Sequence, residues 1–221
     1  MKMKQLQLSA KNKYTQLLLV LLLVFVAYAF FSQAIIAEII LSIVLLGAIV
    51  LIIRTFYFHQ RAFYFYLTIS GLAFIVDFVN LTSQSSNLKL ALATNIIYAG
   101  FFLLAIVLMI EKIFSDRQVT IDTIVGGISV FLLIGDLWFL FFDTIYLLNP
   151  AAFTSSAETI NSFDLLYFSF TTLTTVGYGD IAPVSPLAKV LTNLEGICGV
   201  MYPAVLIGRL VGIYNPEWEK D

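Results

Sequence analysis

Charge is scarce in this chain. Only 12% of its 221 residues are Asp, Glu, Lys or Arg, and the formal net charge is −2. No basic footprint for a nucleic acid exists. A single cysteine, Cys198, excludes an intrachain disulfide framework, and its apolar surroundings make it a small packing residue. A single histidine, His59, leaves no basis for a histidine-rich metal site or a His-dependent triad. Beside Arg61 in a short polar loop it reads as a solvated residue, with pH sensing as the sharper alternative. Apolar residues, in contrast, make up 60% of the chain. The usual share is ~45–50%, so the composition is that of an integral membrane protein.

A bilayer core of ~30 Å takes ~20 apolar residues per helix. Six segments qualify: Gln16–Phe31, Ile35–Ile53, Ala62–Asn80, Leu90–Ile110, Ile121–Tyr146 and Pro186–Tyr214. The first has a basic start and ends at Ser32-Gln33-Ala34, so a cleaved signal peptide is the competing reading. Either way the order of the later segments is unchanged. Lys2, Lys4, Lys11, Lys13, Arg54, Arg61, Lys112, Arg117, Arg209 and Lys220 fall on one side of an alternating topology, against Lys89 and Lys189 on the other. The basic side is the cytoplasmic one, which places both termini there in a plasma membrane.

Between the last two segments lies Thr174-Thr175-Val176-Gly177-Tyr178-Gly179-Asp180. A backbone that aims successive carbonyls one way needs conformations that side chains penalise, and Gly177 and Gly179 remove that penalty. The apolar run 163–174 before it is too short to span and is expected to be a half-helix dipping into the membrane. Irregular backbone at that depth is tolerated where it lines a wet cavity. Asn161 or Ser162 would cap this helix, with Asp164 in its first turn.

The run Thr175-Val176-Gly177-Tyr178-Gly179 resembles the selectivity filter of tetrameric potassium channels, and residues from about 121 onward resemble their pore domain. The resemblance implies an all-α membrane protein of six transmembrane helices, with a re-entrant pore helix and filter loop between helices five and six, assembled as a fourfold homotetramer. It divides the chain into a cytoplasmic N-terminus (1–15), a four-helix domain (16–120), a pore domain (121–214) and a short tail (215–221). Within the pore domain the outer helix is 121–146, the pore helix 163–174, the filter 175–179 and the inner helix 186–214. K⁺ would be coordinated at Thr175, Val176, Gly177 and Tyr178 as the permeant ion, with no cofactor. The partners implied are K⁺, lipid and further copies of the chain, and no nucleic acid.

The resemblance also assigns supporting roles. Thr174, Thr171, Tyr167 and Asp180 would hold the filter from behind. Asp180 would pair with Tyr167, which stands where the family often has tryptophan. Thr171 stands where some members carry glutamate. Gly196, Gly199 and Pro203 are candidates for a bend or gate in the inner helix, with close helix packing as the alternative for the two glycines. Asp136 and Glu195 are costly in apolar helices. Each lies about 13 Å from the outer end of its helix at ~1.5 Å per residue. They are expected either to form a proton-sharing brace behind the filter or to be separately hydrogen-bonded.

Six spans resemble the voltage-gated plan, but Leu90–Ile110 holds no Lys or Arg. Steep voltage gating needs several charges, at ~2.3 kcal/mol per charge per 100 mV. The closest likeness is therefore to small six-span prokaryotic channels without a voltage sensor. Only 215–221 follow the last span, and from this no nucleotide- or Ca²⁺-sensing domain is expected. Rival readings are a potassium transporter, a non-conducting accessory subunit, and an intramembrane aspartyl protease using Asp180 of Gly177-Tyr178-Gly179-Asp180 with Asp136 or Asp77. The chain has one filter loop and no internal repeat of it, unlike such transporters, and it lacks the companion motifs of such a protease. Neutralising Asp77 or Glu38 is expected to leave conductance nearly flat with voltage. A steep conductance–voltage curve in the unmodified chain would show that span four does carry a sensor.

Overall fold

The computed structural model describes residues 13–30, 47, 68–76, 78–79, 87–115, 118–156 and 159–213. They form helices α1 (Lys13–Phe30), α2 (Leu88–Ser115), α3 (Ile121–Leu148), α4 (Ser162–Leu173) and α5 (Pro186–Ile213), with helical backbone also at 68–76. Among the described residues, α2, α3 and α5 are long and apolar enough to cross a membrane. Nearly all of the second predicted span, part of the third, His59, Glu38, Asp77, Asn80 and the tail 215–221 lie outside the described residues.

Helix α3 starts where Thr120, in extended backbone, accepts from the Thr123 N–H while Thr123 Oγ1 accepts from the Thr120 N–H. Two N–H groups that the helix start would leave open are thereby satisfied. The helix stops at Leu148, because Asn149 precedes Pro150 and is held extended. The outer helix thus runs two residues past its predicted end at 146.

α3 is the hub, packed against α1, α2, α4 and α5. Lipid tails are as apolar as side chains, so helices associate in a membrane through close packing and polar contacts. Three small positions on α3 receive side chains from all four neighbouring helices. Gly126 faces Tyr14 of α1 and Ile113 of α2, Gly127 faces Leu206 of α5, and Gly135 faces the Phe170 ring of α4. Polar contacts tie the helices further. Tyr202 of α5 donates to the Gly127 carbonyl at 2.9 Å, and Arg209 Nη2 of α5 donates to the Phe114 carbonyl, in the last turn of α2, at 2.9 Å. That carbonyl is one the helix end leaves without an intrahelical donor.

Sequence periodicity did not reveal the short structure between α3 and α5. A 3₁₀ turn at Pro150–Ala152 leads into strand β1 (Phe153–Ser155), which pairs antiparallel with β2 (Ile181–Pro183). Each strand is three residues long, too short for alternation to signal it. A triangle of edge-to-face rings locks this ribbon to the helices. Phe142 of α3 meets Phe153 of β1 and Phe168 of α4 at centroid distances of 5.8 and 5.0 Å, and Phe153 meets Phe168 at 5.5 Å. Such pairs add ~0.5–1.5 kcal/mol each beyond area burial.

Phe142 is fully buried and belongs to two of the three pairs. Phe142→Ala is expected to destabilise the protein by about 3–5 kcal/mol. Thermal unfolding in detergent should show a clear fall in midpoint, whereas Ile128→Ala on the exposed face should change it little.

Candidate functional site

Helix α4 begins with a reciprocal cap. Asn161 Oδ1 accepts from the N–H groups of Phe163 (2.9 Å) and Asp164 (3.0 Å), and Asp164 Oδ2 accepts from the Asn161 N–H at 2.9 Å. Of the two predicted caps, Asn161 is the one used, and the helix runs Ser162–Leu173, one residue earlier at each end than expected. A second carboxylate stands at the same end. Asp143 of α3 accepts from Ser162 Oγ at 3.2 Å and from Asn95 Nδ2 of α2 at 2.8 Å. Negative charge here complements the positive end of the helix dipole.

The other end of α4 leads directly into the irregular loop. Thr174 is the C-cap, its N–H bonded to the Phe170 carbonyl and its hydroxyl donating to the same oxygen. The Thr171 carbonyl accepts from both Val176 N (2.8 Å) and Gly177 N (3.1 Å), and Thr172 accepts from Thr175 N at 2.9 Å. Carbonyls that the helix end would leave open thus hold the start of the loop.

Every second residue of the loop is left-handed: Thr175 at φ 61°, Gly177 at 53° and Gly179 at 81°, with neither Val176 nor Tyr178 at positive φ. Alternating handedness turns successive peptide units the same way, which is how short segments gather like-oriented backbone dipoles. Glycine was expected at two of these positions. Thr175 is the third, and a β-branched residue there is strained.

The alternation gives the loop two faces. Thr175, Gly177 and Gly179 line an open cavity of about 980 Å³, together with Gly196, Ile197 and Val200 of α5. Thr174, Val176 and Tyr178 line a smaller one of about 310 Å³, bounded by Tyr167 and Phe170 of α4. The Tyr167 and Tyr178 rings stack at 6.3 Å and 5°. Beyond the loop, the Asp180 carbonyl accepts from Ser156 N at 3.0 Å, and β2 pairs with β1, so the far end is anchored as well.

Several expected contacts are resolved differently. Asp180 is exposed and is not hydrogen-bonded to Tyr167; the Tyr167 ring lies flat on Tyr178 instead. No hydrogen bond joins Asp136 to Glu195, although both are buried. Their helices meet on Ser169 of α4, whose hydroxyl lies 2.8 Å from the Gly135 carbonyl oxygen and 2.6 Å from Glu195 Oε1. Gly199 is a packing position, because a Cβ there would overlap the Leu173 carbonyl, while one on Gly196 would meet nothing within 4 Å. Helix α5 continues through Pro203, which cannot donate to the Gly199 carbonyl one turn earlier. Sequence reading missed Ser169, Asp143 and Asn95. The signal available was one polar residue set among apolar ones, as in Phe168-Ser169-Phe170.

The ion channel family model matches residues 133–214, a span that contains α4, the loop and α5. Those residues match the ion channel family, and the curated relatives similar to this chain are potassium channels. The family is one of ion channels and not of enzymes. Among curated relatives, the inward rectifier potassium channel Kirbac3.1 of Paramagnetospirillum magnetotacticum is 38% identical over 28% of this chain and 18% of its own length. Two pore potassium channel c of Oryza sativa subsp. japonica is 39% identical over 31% of this chain and 15% of its own. A voltage-gated potassium channel of Aeropyrum pernix is 33% identical over 32% of this chain and 23% of its own. The chain therefore spans less than a quarter of the length of these relatives. No solved structure matches.

Gly199→Ala is expected to destabilise the fold by about 1–3 kcal/mol, because the neighbour it strikes is backbone. Gly196→Ala should be neutral or stabilising, since alanine favours a helix by ~1 kcal/mol over glycine. Unfolding midpoints of the two variants decide between packing and a shared hinge role; equal effects would contradict the packing assignment.

Proposed function

We propose that the chain is a potassium-selective channel in which four copies surround one axis and pass K⁺ passively along the loop 175–179. The observation that carries this reading is the alternation of left-handed backbone at Thr175, Gly177 and Gly179. Fourfold repetition of such a loop would offer stacked rings of oxygen in place of the water around K⁺. The Thr175 hydroxyl would add the innermost ring. The C-terminal end of α4, with its partial negative charge, would favour a dehydrating cation beside it.

Assembly into four is supported by what one copy leaves exposed. Along α5, Leu187, Val190, Leu194, Ile197 and Val200 are each about half exposed, as is Val176 in the loop, and Tyr178 is 72% exposed. A second copy would cover part of this surface, and the cavity would take the rest. The reading places the assembly in the plasma membrane with its termini on the cytoplasmic side. It expects weak voltage dependence, because the central part of α2 carries no basic residue.

Planar-bilayer recording under a K⁺/Na⁺ gradient tests this directly. A reversal potential near that of K⁺, blocked by Ba²⁺, is the expected result. Thr175→Ala and Gly177→Ala should each reduce the K⁺/Na⁺ permeability ratio by about tenfold or more, the cost of losing one coordinating or conformational element at ~1–3 kcal/mol. Unchanged selectivity in both variants would overturn the filter assignment.

A further inference from the structure

The polar cluster behind the filter contains a proton-counting problem. Ser169 and Glu195 are fully buried, on α4 and α5. The Ser169 oxygen is 2.6 Å from Glu195 Oε1 and 2.8 Å from the Gly135 carbonyl oxygen of α3. Glu195 Oε2 is buried with no hydrogen-bond partner. A serine hydroxyl has one proton to give, and a carbonyl can only accept. If that proton goes to Glu195, the serine and Gly135 oxygens face each other with nothing between them. If it goes to Gly135, the gap to Glu195 needs a proton of its own. One arrangement fills both gaps: a carboxyl proton on Oε1 donated to Ser169, and the serine proton donated to Gly135.

The same arrangement accounts for Oε2. In a neutral acid it is an ordinary carbonyl oxygen short of one donor. In a carboxylate it would share a negative charge buried without a counter-charge, which costs far more. Among the described residues, no basic side chain touches either oxygen: Oε1 lies on Ser169 and Oε2 has no hydrogen-bond partner. Neither α3 nor α4 carries a basic residue; on α5 the basic residues are Lys189 and Arg209, more than a helical turn from Glu195 on either side, and Arg209 donates to the Phe114 carbonyl instead, while the nearby titratable groups Asp136 and Cys198 cannot supply positive charge.

We propose that Glu195 is a neutral carboxylic acid heading a directed chain, Glu195 to Ser169 to the Gly135 carbonyl, which pins α4 between α3 and α5. Glu195 is thus a positioning residue. It touches no ion, but it fixes the helix whose end holds the loop 175–179. The chain itself stands on geometry; its effect on permeation rests on the proposed function.

Infrared spectroscopy of the full chain reconstituted in lipid tests the protonation without reference to current. The unmodified protein should have a protonated-carboxyl band that is lost in Glu195→Gln and moves to higher frequency in Ser169→Ala. A spectrum left unchanged by both variants overturns the proposal, and the Ser169 variant decides alone if the glutamine one does not assemble. In bilayers, Glu195→Gln should keep the K⁺/Na⁺ permeability ratio within about twofold, because its amide N–H replaces the acid as donor. Glu195→Ala should lower the ratio about tenfold, the cost of orphaning a buried partner. Equal losses in both variants would mean that a carboxylate is required, and would overturn the proposal. Bands that behave as expected in a chain that passes no K⁺ would sink the proposed function and leave the neutral acid standing.

Discussion

Position 199 has no Cβ, and the end of α4 depends on that. The inner helix lies so close to the Leu173 carbonyl that any side chain atom would collide with backbone. This contact fixes where α4 ends, and where α4 ends fixes where the loop begins. A loop of alternating handedness is not a resting conformation for an ordinary chain; Thr175 alone, at φ 61°, bears a strain of order 1–2 kcal/mol. It persists because it is held at both ends. The Thr171 carbonyl grips its start with two hydrogen bonds, and the short ribbon of β1 and β2 grips the chain just beyond Asp180.

What could be read in the sequence was what depends on near neighbours in the chain. A cap such as Asn161 with Asp164 works over three residues, and a glycine at positive φ is a matter of its own backbone. The start of α4 and the conformation at Gly177 and Gly179 were therefore open to inspection. Gly196 and Gly199 show the limit. They are the same residue, a turn apart on one helix, and only the position of Leu173 makes one essential for packing and leaves the other facing a cavity. Asp143 and Ser169 stood out only as polar residues among apolar ones, since their meaning depends on which helices lie beside them. The pairing of Asp180 with Tyr167 came from resemblance rather than from residues, and in this chain the Tyr167 ring is turned against Tyr178 instead.

The arrangement of α3 follows from its solvent. In water, burying apolar faces would itself drive these helices together, but in lipid that gain is largely absent. The work falls to fit and to the few polar groups. Gly126, Gly127 and Gly135 give four different neighbours room to approach one helix, and each neighbour adds a ring or a branched side chain that fills the space. The buried polar side chains Ser129, Asp143 and Ser169 each find a hydrogen-bond partner on a neighbouring helix or along their own.

Helix α2 is fastened to its neighbours at two levels. Near its start, Asn95 holds the Asp143 carboxylate that also holds the first residue of α4; at its end, the Phe114 carbonyl takes the Arg209 guanidinium of α5. A helix fastened at both ends behaves as a strut. When bilayer thickness changes, a transmembrane helix answers by tilting. This one cannot tilt without pulling on the base of α4 at one end or on the last turns of α5 at the other. Thickness of the surrounding lipid is thereby converted into load on the two elements that bracket the loop 175–179.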